Sequence, residues 1–250
     1  MSTDRAMEVF FEAFDDMPRL GPGQQAATIR AYEALDLPDK PHILDVGCGN
    51  GRQTIDLARI SSGLVTAIDN HGPFLQRLRR EADARGVGRR LRTLCMDMAA
   101  IDLPGETFDL IWSEGAIYNI GFAKGLSAWK SLLAPTGRLA VTEACWLRPD
   151  PPAEIERWWR HEYPAITDVE TNLALIREAG YEPLDHFALP PEAWTDEYYV
   201  PLQARISELR TKYGTEPEAS GVLDMLQTEI DQYTKYGDWY GYVFFLMRPL

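Results

Sequence analysis

In His42-Ile-Leu-Asp-Val-Gly-Cys-Gly-Asn-Gly51 a short apolar run passes directly into glycines at 47, 49 and 51. Glycine there lets the backbone turn tightly and lets a ligand come close to the main chain where a Cβ would otherwise stand. The residues after Gly51 read as a helix, so the segment is a strand, a glycine turn and a helix in succession. Its spacing is G-x-G-x-G, whereas the dinucleotide fingerprint is G-x-G-x-x-G. Asp45 stands just before the turn, where a carboxylate can meet a cationic group or a water bound to one.

Working outward, apolar runs of four to six residues recur at Leu64–Ile68, Leu91–Leu94, Phe108–Trp112 and Arg138–Thr142, separated by longer amphipathic stretches. One helix is expected from Pro73 to about Arg85, before Gly86, and another from Ala123 to Leu133, stopped by Pro135 and Gly137. This alternation implies a parallel sheet with helices on both faces. Two helices precede it: Met7–Phe14 and a run ending at Leu35, with Leu20-Gly21-Pro22-Gly23 between them. After it come a Trp-rich helix (155–162), a helix over about 169–179, a strand over 181–189, two helices within 190–237 and a closing strand, Tyr240–Met247.

Acidic residues follow the strands in a fixed order. Asp69 ends the second strand, at a spacing from the glycine turn close to that at which an acid meets adenosine ribose hydroxyls. Asp97, in Cys95-Met-Asp-Met98, ends the third, where it can accept from an adenine amino group while Met98 packs on the ring. Ser113-Glu-Gly-Ala-Ile-Tyr118 follows the fourth and falls in the crevice where open α/β sheets bind ligands. Any one of these acids alone is equally a helix or turn cap; their joint order is what points to a nucleoside.

Composition narrows the partners. The net charge is −13 and the pI about 4.8, which opposes a polyphosphate and makes nucleic acid a poor substrate. The arginines between Arg77 and Arg92 read as a solvated helix face. Cys48, Cys95 and Cys145 have neither zinc nor disulfide spacing, none of the four histidines has a second ligand at metal spacing, and no metal is expected. No signal peptide and no run long enough to span a bilayer is legible, so a cytoplasmic protein is expected.

From about Pro41 to Trp146 the chain resembles the class I S-adenosylmethionine-dependent methyltransferase family. The resemblance rests on Leu-Asp-Val-Gly-Cys-Gly-Asn-Gly, Ala-Ile-Asp, Met-Asp-Met and Leu-Leu-Ala-Pro-Thr-Gly-Arg-Leu. Ile68-Asp-Asn-His, Trp112-Ser-Glu-Gly-Ala-Ile-Tyr and the long insertion before the last strand are similar to a bacterial subgroup of uncharacterised small-molecule methyltransferases. Thr136 departs from the family's usual glycine. The resemblance implies a Rossmann-like seven-stranded sheet with the last strand antiparallel beside the fifth, helices on both faces, and S-adenosylmethionine as cofactor. It further implies one methyltransferase domain over 1–250, with a helical cap (1–40), a cofactor-binding core (41–146) and a helical insertion (190–237).

Asp45, Gly47, Cys48, Gly49, Gly51, Asp69, Asn70, Asp97, Met98 and Ser113 are the expected cofactor residues, and Glu114, Tyr118 and Glu143 the expected catalytic ones. The sulfonium is already a strong electrophile, so alignment and exclusion of water are the main tasks. Glu114, Glu143 and His161 are the available bases for an acceptor that must lose a proton, and aromatics such as Trp158, Trp159, Trp194, Tyr198 and Tyr199 are candidates for a lid. The expected partner is a small-molecule acceptor, with neither nucleic acid nor membrane, and a homodimer is open. Two rivals stand beside this: a non-catalytic S-adenosylmethionine-binding protein and a nicotinamide-dependent oxidoreductase.

Overall fold

Residues Ile43 to Val46 are all buried, which explains why this strand is continuously apolar apart from Asp45: it has a neighbour on each side and a hydrophobic layer on each face. The computed structural model describes residues 3–250. In chain order its elements are α1 (Thr3–Phe14), α2 (Gln25–Glu33), β1 (His42–Val46), α3 (Arg52–Ser61), β2 (Leu64–Asp69), α4 (Gly72–Ala84), β3 (Leu91–Cys95), β4 (Phe108–Ser113) and α5 (Phe122–Trp129). There follow β5 (Leu133–Trp146), α6 (Ala153–Glu162), β6 (Thr167–Asp168), α7 (Val169–Glu178), β7 (Tyr181–Ala188), α8 (Glu192–Trp194), α9 (Val200–Tyr213), α10 (Pro217–Tyr236) and β8 (Tyr240–Pro249).

The sheet runs β3-β2-β1-β4-β5-β8-β7, with β6 pairing to the end of β5. β1 to β5 are mutually parallel, and β8 lies antiparallel between β5 and β7. This is the expected Rossmann-like sheet with its last strand reversed beside the fifth. The two-residue β6 is additional, being too short to leave a period in the sequence. Side chains alternate between two hydrophobic layers. Ile43, Leu110, Trp112 and Phe244 belong to one; Leu44, Val46, Ile111, Val141 and Phe245 belong to the other.

Some boundaries differ from the sequence expectation. The helix placed over Ala123–Leu133 ends at Trp129 and tightens into a 3-10 turn, Lys130–Leu132. β5 begins at Leu133 and includes the Pro135-Thr136-Gly137 irregularity, where its register against β4 shifts between Phe108 and Leu110. In the insertion the two expected helices, α9 and α10, are preceded by α8 and a π-helical turn, Thr195–Tyr199. Pro201 has no N–H to return to the carbonyl four residues back, and just before it the Val200 N–H bonds Thr195 instead, five residues back.

α1 packs on α9 and α10, so the two helical additions meet each other over the sheet. Arg5 pairs with Glu216 at 2.7 Å, and Lys212 with Glu12 at 2.6 Å. None of the described helices is long and apolar enough to cross a membrane.

Candidate functional site

After β1 the chain moves outward through β2 and β3, then returns to the other side of β1 as β4. The loops leaving β1 and β4 therefore diverge, and a crevice opens between them at the carboxyl ends of the strands. The glycine turn occupies that crevice. Gly47, Gly49 and Gly51 all have positive φ. At Gly47 a Cβ would lie 2.5 Å from the Ala116 Cβ and 2.9 Å from the Met98 Cε, so only glycine allows the β4 loop and Met98 to close on the turn.

A cavity of about 540 Å³ opens here, and Gly47, Cys48, Gly49, Asp69, Asn70, Asp97 and Met98 all line it. Asp69 anchors the turn: its Oδ2 accepts from the Gly49 N–H at 2.9 Å and its Oδ1 from the His71 N–H at 2.8 Å. Each oxygen retains a lone pair for a further donor. Asp97 Oδ1 accepts from the Ala99 N–H at 2.8 Å, so the cap reading also holds at this residue while its side chain faces the cavity. The ring of Phe11 stacks on His71 with centroids 4.0 Å apart, bringing α1 onto the cavity rim.

Asp45, Gly51 and Ser113 stand behind the wall and do not line it. Ser113 is fully buried and donates to the Val46 carbonyl at 3.0 Å, tying β4 to β1. Gly51 is closed off by Leu78, which would meet a Cβ at 2.1 Å. Asp45 is fully buried; its Oδ2 accepts from Thr54 and Gln53, and its Oδ1 has no partner among the described residues. Burial pushes its pKa up to about 7; the Thr54 and Gln53 hydrogen bonds pull against the shift, and the negative charges of Glu114 and Asp69 add to it.

Glu114 does line the cavity. Its Oε1 accepts from Thr28 at 2.7 Å and from the Trp112 indole at 3.0 Å. Its Oε2 lies 3.5 Å from Arg19 Nη1. Burial pushes the Glu114 pKa up against these three partners. Arg19 also reaches Glu197 at 2.8 Å, and its Nη2 is buried with no acceptor. Arg19 is the one Lys or Arg among the described lining residues of a cavity otherwise rich in acids, and its unfilled Nη2 lies beneath the wall.

A second cavity, of about 550 Å³, adjoins the first, and both are lined by Phe10, Leu20, Gly21, Pro22, Gly115 and Tyr118. Tyr118 is 37% exposed, but that surface faces the two cavities, and burial pushes its pKa up. The far wall comes from α6, the insertion and β8, and includes Trp158, Trp159, Trp194 and Tyr240. Glu143 lines neither cavity. It sits under the opposite face of β5, where both carboxylate oxygens lack a hydrogen-bonding partner. Burial pushes its pKa up to about 7; the Tyr163 phenol and the Ala144 amide stand near enough to pull the other way without completing a hydrogen bond. His161 is exposed and lies outside both walls.

Among the cavity residues that sequence reasoning missed are Arg19, Gln53 and Asn119, to which the chamber adds Glu229; Asn50 and His71 also line the first cavity and fall inside legible motifs without having been expected at the site. Among the described residues no group of three or more His, Cys, Asp and Glu side chains is placed to hold a metal ion.

Comparison with known proteins agrees with this geometry. Residues 43–137 match a family model described as a methyltransferase domain. An uncharacterised methyltransferase of Bacillus subtilis, YodH, is 23% identical over 215 residues, 86% of each chain. A methyltransferase from Geobacter sulfurreducens, solved with S-adenosylhomocysteine, shares the fold with a TM-score of 0.84 at 19% identity, over 97% of this chain and 98% of that one. The [4+2]-cyclase SpnF shares it with a TM-score of 0.73 at 23% identity, over 90% and 80%. Against three further curated methyltransferases the chain spans 49%, 30% and 48% of the relative's length.

Proposed function

We propose, on the premise that residues 43–137 of this chain belong to the class I methyltransferase family, that the protein binds S-adenosylmethionine at the glycine turn and methylates a small molecule held in the aromatic chamber. The observation that carries this reading is the pair of adjoining cavities, one at the glycine turn and one under the helical insertion, sharing Gly115 and Tyr118. In this reading 1–40 and 190–237 are caps on the core at 41–146, within one cytoplasmic domain.

The residues present fit the cofactor. Gly47 leaves a cradle that a Cβ would fill, Asp69 has lone pairs for ribose hydroxyls, and Asp97 and Met98 line the cavity with an acceptor and an apolar side chain suited to adenine. Arg19, which lines the cavity, supplies a positive charge for the carboxylate of a methionine group. Asp45 acts from beneath the wall, through Gln53, which lines the cavity and donates to it at 3.3 Å. When bound, S-adenosylmethionine supplies an electrophilic methyl on a sulfonium.

The chain's own part is to align and to exclude water. Tyr118 borders both cavities, and in this reading its side chain meets the acceptor. Glu114 is engaged by Thr28, Trp112 and Arg19, so it orients Arg19 and joins the N-terminal segment to β4. Glu143 acts at most through the field beneath β5. Calorimetry with S-adenosylmethionine, S-adenosylhomocysteine and NAD tests the reading: saturable binding of the first two and none of NAD is expected, and tighter binding of NAD refutes it.

The cyclase on the same fold favours a second reading, in which the cofactor pocket is kept and the chamber does other work. Screening candidate acceptors with radiolabelled S-adenosylmethionine separates the two. Label appearing in a small-molecule product supports transfer; cofactor binding without label in any product supports the second reading.

A further inference from the structure

The aromatic chamber carries charge of one sign. Glu229 on α10 forms part of its wall and the exposed Glu162 lies at its edge, while no Lys, Arg or His is among the lining residues. Glu229 lines this chamber and not the glycine-turn cavity, so its charge is directed at what the chamber holds. One oxygen is fixed: Oε1 accepts from Tyr199 at 3.1 Å and from Tyr198 at 3.4 Å. Oε2 accepts from no described residue.

Two sequence neighbours reach the same carboxylate because of the local backbone. In an α-helix residues i and i+1 point about 100° apart and do not face each other. The π-helical turn at Thr195–Tyr199 changes that arrangement, and the rings of Tyr198 and Tyr199 lie with centroids 4.9 Å apart, both buried. From this widened turn both hydroxyls reach Glu229 Oε1.

Eleven of the lining residues are aromatic. Aromatic faces attract cations, and more strongly where water is excluded. A lone carboxylate in such surroundings is costly to ionise, and burial pushes the Glu229 pKa up against its two tyrosine donors. A cation beside Oε2 offsets that cost, whereas an anionic molecule meets two acids and no counter-charge.

We propose that the chamber recognises its small molecule through a protonated amine, seated between the Glu229 carboxylate and the surrounding aromatic faces. The proposal rests on the reading of this chamber as the acceptor site and assigns its substrate class; the amine is the anchor, whichever atom receives the methyl.

Three probes on one skeleton test it: phenethylamine, 2-phenylethanol and phenylacetate, titrated calorimetrically into the full chain saturated with S-adenosylhomocysteine. The amine is expected to bind at least about tenfold more tightly than either of the others, from one charge-assisted contact plus the aromatic faces. Glu229→Gln should bring the amine to within about threefold of the alcohol while leaving S-adenosylhomocysteine affinity unchanged, which also reports that the variant is folded. Should that variant not fold, Glu229→Asp keeps the charge and withdraws it by one methylene, and an intermediate preference is expected. Equal or tighter binding of the alcohol or the carboxylate overturns the proposal, as does absence of amine binding or an amine preference that survives Glu229→Gln. Failure of the wild type to bind S-adenosylhomocysteine refutes the methyltransferase reading instead; the three probes are then compared on the protein alone.

Discussion

The guanidinium of Arg19 stands 3.5 Å from the carboxylate of Glu114, and each side chain is only 4% exposed. These residues come from separate parts of the chain, one in the N-terminal break and one after β4, so the pair fastens the cap to the core. Breaking a buried pair by removing one partner leaves an uncompensated charge. Arg19→Met is therefore expected to lower stability by about 3 kcal/mol or more. Glu114→Gln should cost less, because Arg19 keeps Glu197 at 2.8 Å. The double variant should recover part of the loss, and urea unfolding of all four proteins measures it. Strictly additive effects would show that the two groups are not coupled.

Asp69 joins the glycine turn to the end of β2 through the amides of Gly49 and His71. Asp69→Ala is expected to weaken S-adenosylhomocysteine binding by about 1.5 to 3 kcal/mol for each charge-assisted hydrogen bond lost, less what water restores. Calorimetry on the folded variant reads this directly. An unchanged dissociation constant would remove Asp69 from the site.

Glu143 makes stability depend on pH in a stated direction. Its folded pKa is raised by burial to about 7 from an ordinary 4.5. Below 4.5 it is protonated in both states and has no effect. Between 4.5 and 7 the unfolded chain gives up this proton while the folded chain keeps it, so stability falls as pH rises, and above 7 the loss is complete. Glu143→Gln removes that slope. It should stabilise the protein by up to about 3 kcal/mol at pH 8 and by little near pH 4.5. Asp45 contributes a slope of the same sign in both proteins, so the informative quantity is the difference between variant and wild type. A difference independent of pH would mean that Glu143 has its ordinary pKa in the folded state.

What the sequence made legible was what local pattern encodes. The glycine turn, the acids ending β2 and β3, and the reversed last strand were all expected, because each is a short motif beside an apolar run. Arg19 was hidden in Pro18-Arg19-Leu20-Gly21-Pro22-Gly23, a segment that reads as a helix break; its burial arises only when Glu114 and Glu197 are brought to it. Glu229 was hidden differently. It lies on α10 with Glu218, Asp224 and Asp231, a pattern that reads as a solvated helix face, and only the packing of the π-helical turn against α10 distinguishes it. Gly51 and Ser113 show the converse. Both fall inside a legible motif, yet Leu78 and the β1–β4 pairing keep them out of the cavity, which no local spacing reveals.

The last prediction concerns the roof of the chamber. α9 and α10 share a buried apolar layer with α1, in which Ala13 and Phe14 join Leu202, Ile206 and Leu226, and around it lie ion pairs at exposed or half-buried sites, where Glu12 meets Lys212 at 2.6 Å and Arg205 at 3.6 Å, and Arg5 meets Glu216 at 2.7 Å. The ion pairs contribute little each and are screened by salt, and the roof has one buried face where the central strands have two, so the roof should open at lower cost than the sheet beneath it. Phe10 of α1 lines both cavities and Phe11 stacks on His71 at the cofactor rim. A ligand at the glycine turn thus contacts α1, and α1 contacts the insertion. Binding of S-adenosylhomocysteine should therefore slow amide exchange in α9 and α10 as well as at Gly47 to Gly51, since a ligand that binds the closed form shifts the population toward it. Raising the salt from 0.05 to about 0.5 M should speed exchange in α9 and α10 of the free protein and leave β1 and β4 unchanged. Protection confined to the glycine turn would detach the insertion from cofactor binding and leave it as a fixed wall.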